Sequence, residues 1–253
     1  MMDLTACLPD GPSPFAQSGS AVVTGANSGI GFQVARQLAD RGMIVWMGAR
    51  DAEKGKAAVA AVGERARYLH LDVTDAASAA AAAHDVGEVD ILINNAGVNP
   101  GSEDIEATDL AQLRVAYETN VFSVVTVTQA FLPALRRSRH PRIVNITSGT
   151  GSLTWSSGPN PQFDSERVRG GGLAYRSSKT AANAITLLSA QALGDRFKVN
   201  ALAPGLRVTN LVPGMTSGGD PAEAAAGAVR LALLPDDGPT GALWSFDGTE
   251  VPW

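Results

Sequence analysis

The chain has 253 residues, a net charge of −5 at pH 7 and an isoelectric point near 5.2. Hydrophobic residues make up 45% of it and charged residues 18%, which is typical of a folded domain with a sizeable core and argues against disorder. We expect no nucleic-acid binding from such an acidic chain, because a nucleic-acid surface requires a basic patch. The clustered arginines Arg136, Arg137, Arg139 and Arg142 are interpreted as a solvated helix end.

The single cysteine, Cys7, excludes an internal disulfide bond and favours a reducing compartment, so we expect a cytoplasmic protein. No apolar run approaches the ~20 residues of a membrane span, and we expect neither membrane insertion nor a signal peptide. The three histidines are scattered, and we predict no metal site. Residues 1–18 contain three prolines and are predicted to form a flexible N-terminal arm.

From Ser20 onward, short apolar runs alternate with stretches of helical periodicity. Strands are predicted at 21–24, 43–47, 68–71, 89–93, 142–146, 198–203 and 242–246. Helices are predicted at 29–41, 54–62, 76–84, about 106–119, about 121–138, 173–193 and 221–233. The strands are continuous apolar runs, as in a parallel sheet that is buried on both faces. The pattern predicts an α/β fold: one doubly wound (Rossmann) domain over 19–253, with about seven mostly parallel strands and helices on both faces.

A glycine-rich turn directly follows the first predicted strand and opens the first helix. Glycines there allow a tight turn and let a pyrophosphate approach the helix N-terminus. The spacing is G-x-x-x-G-x-G, and taken alone it also fits a tight turn without a ligand. The candidate cofactor-binding residues in this turn are Gly25, Asn27, Ser28, Gly29, Ile30 and Gly31.

Two further motifs carry candidate chemistry. The tetrapeptide Asn94-Asn95-Ala96-Gly97 ends the fourth strand, where small and amide side chains suit a nucleoside wall, although such a sequence is also an ordinary turn. Its candidate cofactor-binding residues are Asn95, Ala96 and Gly97. Tyr175 and Lys179 are four residues apart and therefore share a helix face. A nearby ammonium group is expected to lower the pKa of a tyrosine, and Ser148, at the end of the fifth strand, could hydrogen-bond a reacting carbonyl oxygen.

In this order, the motifs resemble those of the classical short-chain dehydrogenase/reductases, and the resemblance covers residues 20 to 250. It implies that Tyr175 exchanges the proton on the substrate oxygen, that Lys179 binds the nicotinamide ribose, and that Ser148 polarises the carbonyl. It further implies that Asn120 links Lys179 to solvent through a water molecule. The resemblance also assigns the contact with the nicotinamide carboxamide to the turn that contains Pro204, Gly205 and Thr209.

The resemblance also bears on the choice of cofactor. The position that holds an acid in NAD-dependent members is Ala49 here, and Arg50 follows it. An arginine can pair with a 2′-phosphate, so we predict NADP(H), with a solvated Arg50 paired to a neighbouring acid as the alternative. Asp72 and Val73 resemble the family's adenine-contacting pair, although Asp72 could equally be a helix cap.

The separation of Ser148 from Tyr175 resembles the carbonyl-reductase-like branch of the family. It creates an insertion at 149–174, in which Trp155 and Phe163 are candidate substrate-pocket residues on a loop that covers the substrate mouth. Such an insertion could cover a common oligomer interface, so we expect a monomer or a small homo-oligomer.

The resemblance implies an NADPH-dependent ketone or carbonyl reductase that acts on a small molecule of secondary metabolism. One alternative is an NAD(P)+-dependent alcohol dehydrogenase that runs the reaction in the opposite direction. Others are a dehydratase or epimerase on the same fold and a non-catalytic dinucleotide-binding regulator. The regulator is disfavoured because the tyrosine, lysine, serine and asparagine are all retained.

Overall fold

One sheet runs through the computed structural model, which describes residues 14–15, 19–164, 168–212 and 214–253. Its strands are β1 Ser20–Thr24, β2 Ile44–Ala49, β3 Ala66–His70, β4 Ile91–Asn94, β5 Arg142–Ile146, β6 Lys198–Ala203, β7 Leu243–Ser245 and β8 Glu250–Val251. The order is β3-β2-β1-β4-β5-β6-β7-β8, and only β8 is antiparallel to its neighbour. The predicted mostly parallel sheet is confirmed, and the eighth strand has only two residues, too few to leave a sequence pattern.

The central strands are buried on both faces, as continuous apolar sequences predict. Every residue of β4 and β5 is buried, and Val23 of β1 pairs in register with Ile93 of β4. The strand order reverses between β1 and β4, which both lie in the middle of the sheet. Ligands of open α/β sheets bind at the carboxyl ends of the strands beside such a reversal.

The helices cover both faces of the sheet. They are α1 Gly29–Asp40, α2 Ala52–Val62, α3 Ala76–Val86, α4 Leu110–Tyr117, α5 Ser123–Leu135, α6 Leu153–Ser157, α7 Leu173–Leu193 and α8 Pro221–Ala232. Apolar residues of α1, α2 and α8 form one core layer, and residues of α3, α5 and α7 form the layer on the opposite face. No helix among the described residues has the length and apolar character needed to cross a membrane.

The two helices predicted at 106–119 and 121–138 are joined by a π-helical turn. Helix α4 begins later than predicted, because Asp109 caps it by accepting a hydrogen bond from the Ala111 amide at 2.8 Å. The π-helical turn spans Glu118–Phe122 and leads directly into α5. Wide turns of this kind are rare and frequently lie at functional sites. This one contains Asn120.

A buried arginine lies at the amino ends of the parallel strands. Arg142 has an exposed fraction of 0% and donates hydrogen bonds to the Leu234 carbonyl and, at 2.7 Å, to Asp236. The interpretation of Arg142 as part of a solvated helix end is therefore wrong, since β5 begins at this residue. Its guanidinium also lies over the ring of Phe15. Apart from residues 14–15, the predicted flexible arm, with Cys7, lies outside the described residues.

Candidate active site

A cavity of about 320 Å³ opens at the carboxyl ends of the central strands. Most of the predicted cofactor-binding residues line it: Gly25, Asn27, Ser28, Gly29, Ile30, Arg50, Asp72, Val73, Asn95, Ala96, Gly97, Tyr175, Lys179, Pro204 and Thr209. Gly31 and Gly205 do not line it but each adjoins a lining residue in the sequence. The fold therefore gathers residues from most of the chain into one elongated site.

The glycine turn forms one end of this cavity. Gly25 and Gly29 have φ angles of 61° and 57°, a backbone region that other residues rarely adopt. A side chain at Gly31 would bring its Cβ within 2.4 Å of the Asn95 amide nitrogen, so the helix can approach the sheet only with glycine there. Ser28 makes no side-chain cap to α1, which leaves the amides of the first turn available to an anion.

Asn95, which directly follows the neighbouring strand β4, stabilises the glycine turn. Its side-chain nitrogen donates to the carbonyl oxygens of Thr24, at 2.9 Å, and Gly25, at 3.2 Å. The Thr24 hydroxyl in turn accepts hydrogen bonds from the backbone amides of Asn95 and Ala96, both at 2.9 Å. The two motifs that the sequence presents separately are thus one hydrogen-bonded unit, which holds the glycine turn in shape.

Arg50 lies exposed at the end of β2 and lines the cavity. No ion pair joins it to Asp51 or Glu53 among the described residues. Asp51 instead caps α2 by accepting a hydrogen bond from the Lys54 amide at 3.1 Å, and its carboxylate lies 3.5 Å from the Lys54 ammonium. The guanidinium of Arg50 is therefore open toward the cavity beside the small, buried Ala49.

Asp72 lies on the same wall. Its carboxylate accepts hydrogen bonds from the Thr74 hydroxyl at 2.7 Å and the Thr74 amide at 3.0 Å. These hydrogen bonds are the main cause that lowers the pKa of Asp72, and the charge of Arg50 adds to the effect. The alternative role of Asp72 as a helix cap is wrong, because Asp75 caps α3.

Asn120 occupies the π-helical turn and is buried. Its side-chain nitrogen donates to the Val98 carbonyl and the Ser178 hydroxyl, and its oxygen accepts from the Val98 amide, each at 2.9 Å. A Cβ atom at Gly97 would lie 3.2 Å from the Asn120 oxygen and 3.4 Å from the Lys179 nitrogen. The geometry thus brings the side chains of Asn120 and Lys179 close to the same glycine, while the water-mediated link between them stays a prediction.

Lys179 reaches the end of β5 from α7. Its ammonium nitrogen donates to the Ile146 carbonyl oxygen at 3.0 Å, and burial lowers its pKa to about 8. The 3₁₀ turn Gly149–Gly151 presses against it, since a Cβ at Gly151 would lie 2.7 Å from the Lys179 carbonyl carbon. The lysine therefore occupies a tight, buried position on the cavity wall.

Tyr175 is partly buried on the cavity wall, one helical turn before Lys179. Burial raises its pKa to about 12, and a hydrogen bond with Ser148 opposes that rise. The Ser148 hydroxyl also lies 2.8 Å from the Thr150 hydroxyl. The expected lowering of the pKa of Tyr175 is not found among the protein's own groups, because burial disfavours its phenolate. The structure does bring Ser148, Tyr175 and Lys179 together, as predicted.

A buried polar network fixes the helix that carries this pair. The Asn94 amide donates to the Asn145 oxygen, and the Asn145 amide donates to the Thr186 hydroxyl, both at 2.9 Å. The network joins β4, β5 and α7 two turns below Lys179. Because buried polar groups are costly unless paired, this network favours a single placement of α7 on the sheet.

Residues 149–157 are more regular than the Gly/Ser/Pro-rich composition of this part of the chain predicts. After the 3₁₀ turn, Ser152 caps α6 by accepting a hydrogen bond from the Trp155 amide at 3.1 Å. Trp155 is 7% exposed and packs with Leu243 and Val251 of the sheet edge. Contrary to the prediction, Trp155 does not line the cavity, because its indole belongs to the core cluster beside β7 and β8.

Phe163 lies farther along the same segment and is only partly buried. The Arg176 guanidinium lies 6.0 Å from the centre of its ring, and Arg176 also donates to the carbonyl oxygens of Val168, at 2.6 Å, and Gly171, at 3.1 Å. Phe163 does not line the cavity either, and its contact with substrate stays a prediction. Arg176, which directly follows Tyr175, ties this segment to α7.

Several residues that shape the site were not selected from the sequence. They are Thr24, Val98, Asn145, Arg176, Ser178 and Arg207. Most act through backbone or amide hydrogen bonds between segments that are distant in sequence. Only the position of Thr24, directly before the first glycine, offered a signal that sequence inspection could have used.

Comparison with known proteins identifies relatives. A family model described as short chain dehydrogenase matches residues 20–160. Salutaridine reductase of Papaver bracteatum is 32% identical over 95% of this chain and 97% of its own length, and (-)-isopiperitenone reductase of Mentha piperita is 34% identical over 90% and 96%. The solved structure of salutaridine reductase from Papaver somniferum superimposes with a TM-score of 0.75 at 30% identity, over 89% of this chain and 99% of that one.

Proposed function

The chain belongs to the short-chain dehydrogenase family and is an oxidoreductase that interconverts C=O and CH–OH groups with a nicotinamide cofactor, and we propose that it uses NADPH to reduce a ketone of secondary metabolism. One observation carries the proposal. The hydroxyl of Tyr175, which lies near Ser148, shares a cavity with Lys179 and with the guanidinium of Arg50, for which no ion pair is found among the described residues. Proton-transfer groups and a 2′-phosphate contact thus lie in one site.

The cavity residues fit such a cofactor. The amides at the start of α1 would hold the pyrophosphate, where the glycine turn leaves no side chain in the way. Arg50 would pair with the 2′-phosphate through its planar fork. Asp72 and Val73 would contact the adenine, and Pro204 and Thr209 would contact the nicotinamide carboxamide.

Bound NADPH supplies the hydride that reaches the carbonyl carbon. Tyr175 gives its proton to the carbonyl oxygen, so that the C=O bond becomes a CH–OH group. Ser148 donates a hydrogen bond to the same oxygen and orients it. Lys179 would hold the nicotinamide ribose, and Asn120 would connect Lys179 to solvent for reprotonation.

The substrate class is proposed from the relatives and from the surface near the site. Leu206 and Val208 expose apolar side chains on the loop that follows the Pro204 turn. An apolar surface on the segment between Pro204 and Thr209, which both line the cavity, suits a hydrophobic ketone. The alignment with salutaridine reductase spans 308 positions, more than the 253 residues present here, so that relative contains segments that this chain lacks. The reaction class is therefore proposed, not that enzyme's own substrate.

The opposite direction is the second candidate. Two relatives are named (+)-neomenthol dehydrogenase, from Capsicum annuum and Arabidopsis thaliana, at 29% and 32% identity. The same proton and hydride positions serve alcohol oxidation, with Tyr175 accepting the proton. Rates measured in both directions with the same ketone–alcohol pair will decide between them.

The test is a screen of NADPH consumption across aryl, terpenoid and polycyclic ketones, with NADH in parallel. The Tyr175→Phe variant serves as the blank, because it lacks only the oxygen that carries the proton. Ketone-dependent oxidation of NADPH by the wild type but not by the variant is expected. If both proteins consume NADPH at the same rate with every ketone, the proposed reaction fails.

The domain organisation belongs to the same proposal. Residues 19–253 act as one catalytic domain, and residues 149–174 form a substrate-side insertion between Ser148 and Tyr175. The functional unit is a monomer or a small homo-oligomer in the cytoplasm. Size-exclusion chromatography with light scattering checks the oligomeric state.

A further inference from the structure

A second buried arginine lies next to the turn proposed to contact the nicotinamide. Arg207 is 7% exposed. Its guanidinium donates to the Pro204 carbonyl at 2.7 Å and to the Glu223 carboxylate at 2.7 Å, and it lies 3.9 Å from the centre of the Phe246 ring. One side chain thus joins the turn after β6, helix α8 and the segment that follows β7.

Arg207 also lies where the two ends of a loop meet. We call this point the neck of the loop, and it consists of residues 206–208 and Gly219. The Val208 amide donates to the Gly219 carbonyl at 3.1 Å, and the Gly219 amide donates to the Leu206 carbonyl at 3.0 Å. A Cβ atom at Gly219 would lie 1.7 Å from an Arg207 guanidinium nitrogen, so a larger residue at this position would displace the guanidinium. The described residues 208–212 and 214–218, called here the 208–218 loop, therefore leave and rejoin the fold at one point, which Arg207 holds.

The loop above this neck forms a wall of the site. Thr209, Asn210 and Leu211 line the cofactor cavity. Thr209 and Asn210 also line a neighbouring cavity of about 350 Å³, together with Met215. A Cβ atom at Gly29 would lie 3.3 Å from the Thr209 methyl group, so the loop packs directly against the glycine turn. The position of the loop therefore fixes where Thr209 meets the glycine turn on the cavity wall.

We propose that Arg207 is a positioning residue that holds the 208–218 loop, and Thr209 with it, at the nicotinamide end of the cavity. The inference rests on the proposed function for the identity of the bound dinucleotide. Arg207 acts through the loop and touches neither cofactor nor substrate. Its loss releases three attachments at once, and Thr209 moves away from the glycine turn.

Arginine is specifically suited to this position. Its planar guanidinium group donates hydrogen bonds in two directions while the face of the group packs against an aromatic ring. A lysine keeps the positive charge but has a single ammonium group, which cannot meet Pro204, Glu223 and Phe246 together. The conservative substitution Arg207→Lys therefore tests the geometry of the fork without removing the charge.

Arg142 provides a matched control. It lies at the amino end of β5, whereas the cavity lies at the carboxyl ends of the strands. It is also buried and charged, it bonds a backbone carbonyl and a largely exposed carboxylate, and its guanidinium lies over a phenylalanine ring. Glu223, the partner of Arg207, has a similarly exposed carboxylate. The Arg142→Lys variant should therefore reproduce the loss of stability without affecting the site.

The experiment compares Arg207→Lys, Arg142→Lys and the wild type by NADPH titration, by hydrogen exchange of residues 208–218 and by ketone kinetics. Arg207→Lys is expected to raise the Kd for NADPH about tenfold, as the loss of charge-assisted hydrogen bonds predicts, and to speed exchange in the loop. Arg142→Lys is expected to change neither the Kd for NADPH nor the rate of exchange in the loop. Glu223→Gln, which keeps the fork, should produce a smaller shift of the same sign.

Unchanged NADPH affinity and loop exchange in Arg207→Lys would overturn the proposal, as would equal changes in Arg142→Lys. The binding and exchange measurements need no turnover. They therefore still test Arg207 if no ketone is reduced, an outcome that would count against the proposed function alone.

Discussion

The ammonium nitrogen of Lys179 lies 5.7 Å from the centre of the Tyr175 ring and donates its hydrogen bond to the Ile146 carbonyl. Burial shifts the two groups in opposite directions, raising the pKa of Tyr175 to about 12 and lowering that of Lys179 to about 8. Both shifts favour the neutral forms, as expected where water is excluded. At neutral pH the tyrosine therefore holds the proton that ketone reduction consumes.

Substituting Tyr175 by phenylalanine should abolish turnover while leaving the fold and cofactor binding nearly intact. The ring still packs, and only the proton-carrying oxygen is lost. A positioned acid–base group contributes ~10²–10⁴-fold to the rate, so kcat should fall by about that factor. Steady-state kinetics together with an NADPH titration check both parts. A kcat close to that of the wild type would remove Tyr175 from the proposed mechanism.

Binding of the cofactor should take up protons in alkaline solution. Well below its pKa of about 8, Lys179 is already charged, and above that value it is largely neutral. A ribose hydroxyl that accepts a hydrogen bond from the ammonium favours the charged form and raises the pKa. Calorimetry in buffers of different ionisation enthalpy should show proton uptake at about pH 8.5 and little at about pH 6.5.

The Lys179→Met variant is the control for proton uptake, because it fills similar space without a titrating amine. It should bind NADPH more weakly and show no uptake at either pH. Equal uptake in the wild type and the variant would mean that another group titrates.

The preference for NADPH should depend on Arg50. Removal of a charge-assisted contact with the 2′-phosphate costs ~1.5–3 kcal/mol, so Arg50→Ala should lower kcat/KM for NADPH by roughly ten- to a hundredfold while NADH is little affected. Lys54→Ala is the matched control, because Lys54 is an exposed cation near Arg50 that pairs with Asp51 and does not line the cavity. A cofactor ratio that stays constant in Arg50→Ala would leave the NADPH preference without its main support.

The sheet and the main motifs could be predicted because each depends on residues that are close in sequence. Apolar runs gave the positions of seven of the eight strands along the chain, and the spacing of Tyr175 and Lys179 gave a shared helix face. Asn120 was found through resemblance alone, since nothing in its local sequence predicts the π-helical turn that contains it. Arg207 was missed because its partner Glu223 and its aromatic contact, Phe246, come from other elements.

Two misassigned residues show the same limit. Arg142 was grouped with exposed arginines, yet it is buried because Asp236 and the Leu234 carbonyl, more than 90 positions away, satisfy its donors. Trp155 was assigned to the substrate mouth because it lies in a loop-like segment. Its packing partners Leu243 and Val251 come from the end of the chain and draw it into the core. Neither long-range contact leaves a local pattern.

Trp155 should therefore contribute to stability more than to selectivity. Replacing a buried tryptophan by alanine typically costs ~3–5 kcal/mol, so Trp155→Ala should lower the free energy of unfolding by about that amount. Rates on small and bulky ketones should fall by similar factors, because the indole does not line the cavity. Denaturant unfolding and paired kinetics provide the measurement. A loss confined to bulky ketones would restore Trp155 as a substrate contact.

The Arg142 cluster should make stability sensitive to acid through Asp236. Its pKa is lowered below 3.8, mainly by the hydrogen bond from Arg142 and also by His140, whose ring nitrogen lies 2.9 Å from the carboxylate. The pKa of Asp236 is lower in the folded state than in the unfolded state. The carboxylate therefore stabilises the fold fully above about pH 4, and this stabilisation is lost as the pH falls through the pKa of the folded state.

Asp236→Asn should accordingly reduce the free energy of unfolding at neutral pH by about 1–3 kcal/mol, since the buried guanidinium loses one charged partner but keeps the Leu234 carbonyl. The difference from the wild type should shrink as the pH falls below about 4, because the wild-type carboxylate then becomes protonated as well. Asp237→Asn is the matched control, an exposed neighbour whose removal should change little at any pH. Urea unfolding of the three proteins between about pH 7 and pH 3 gives the measurement. A difference that stays constant across this range would show that the Asp236 carboxylate does not titrate with folding.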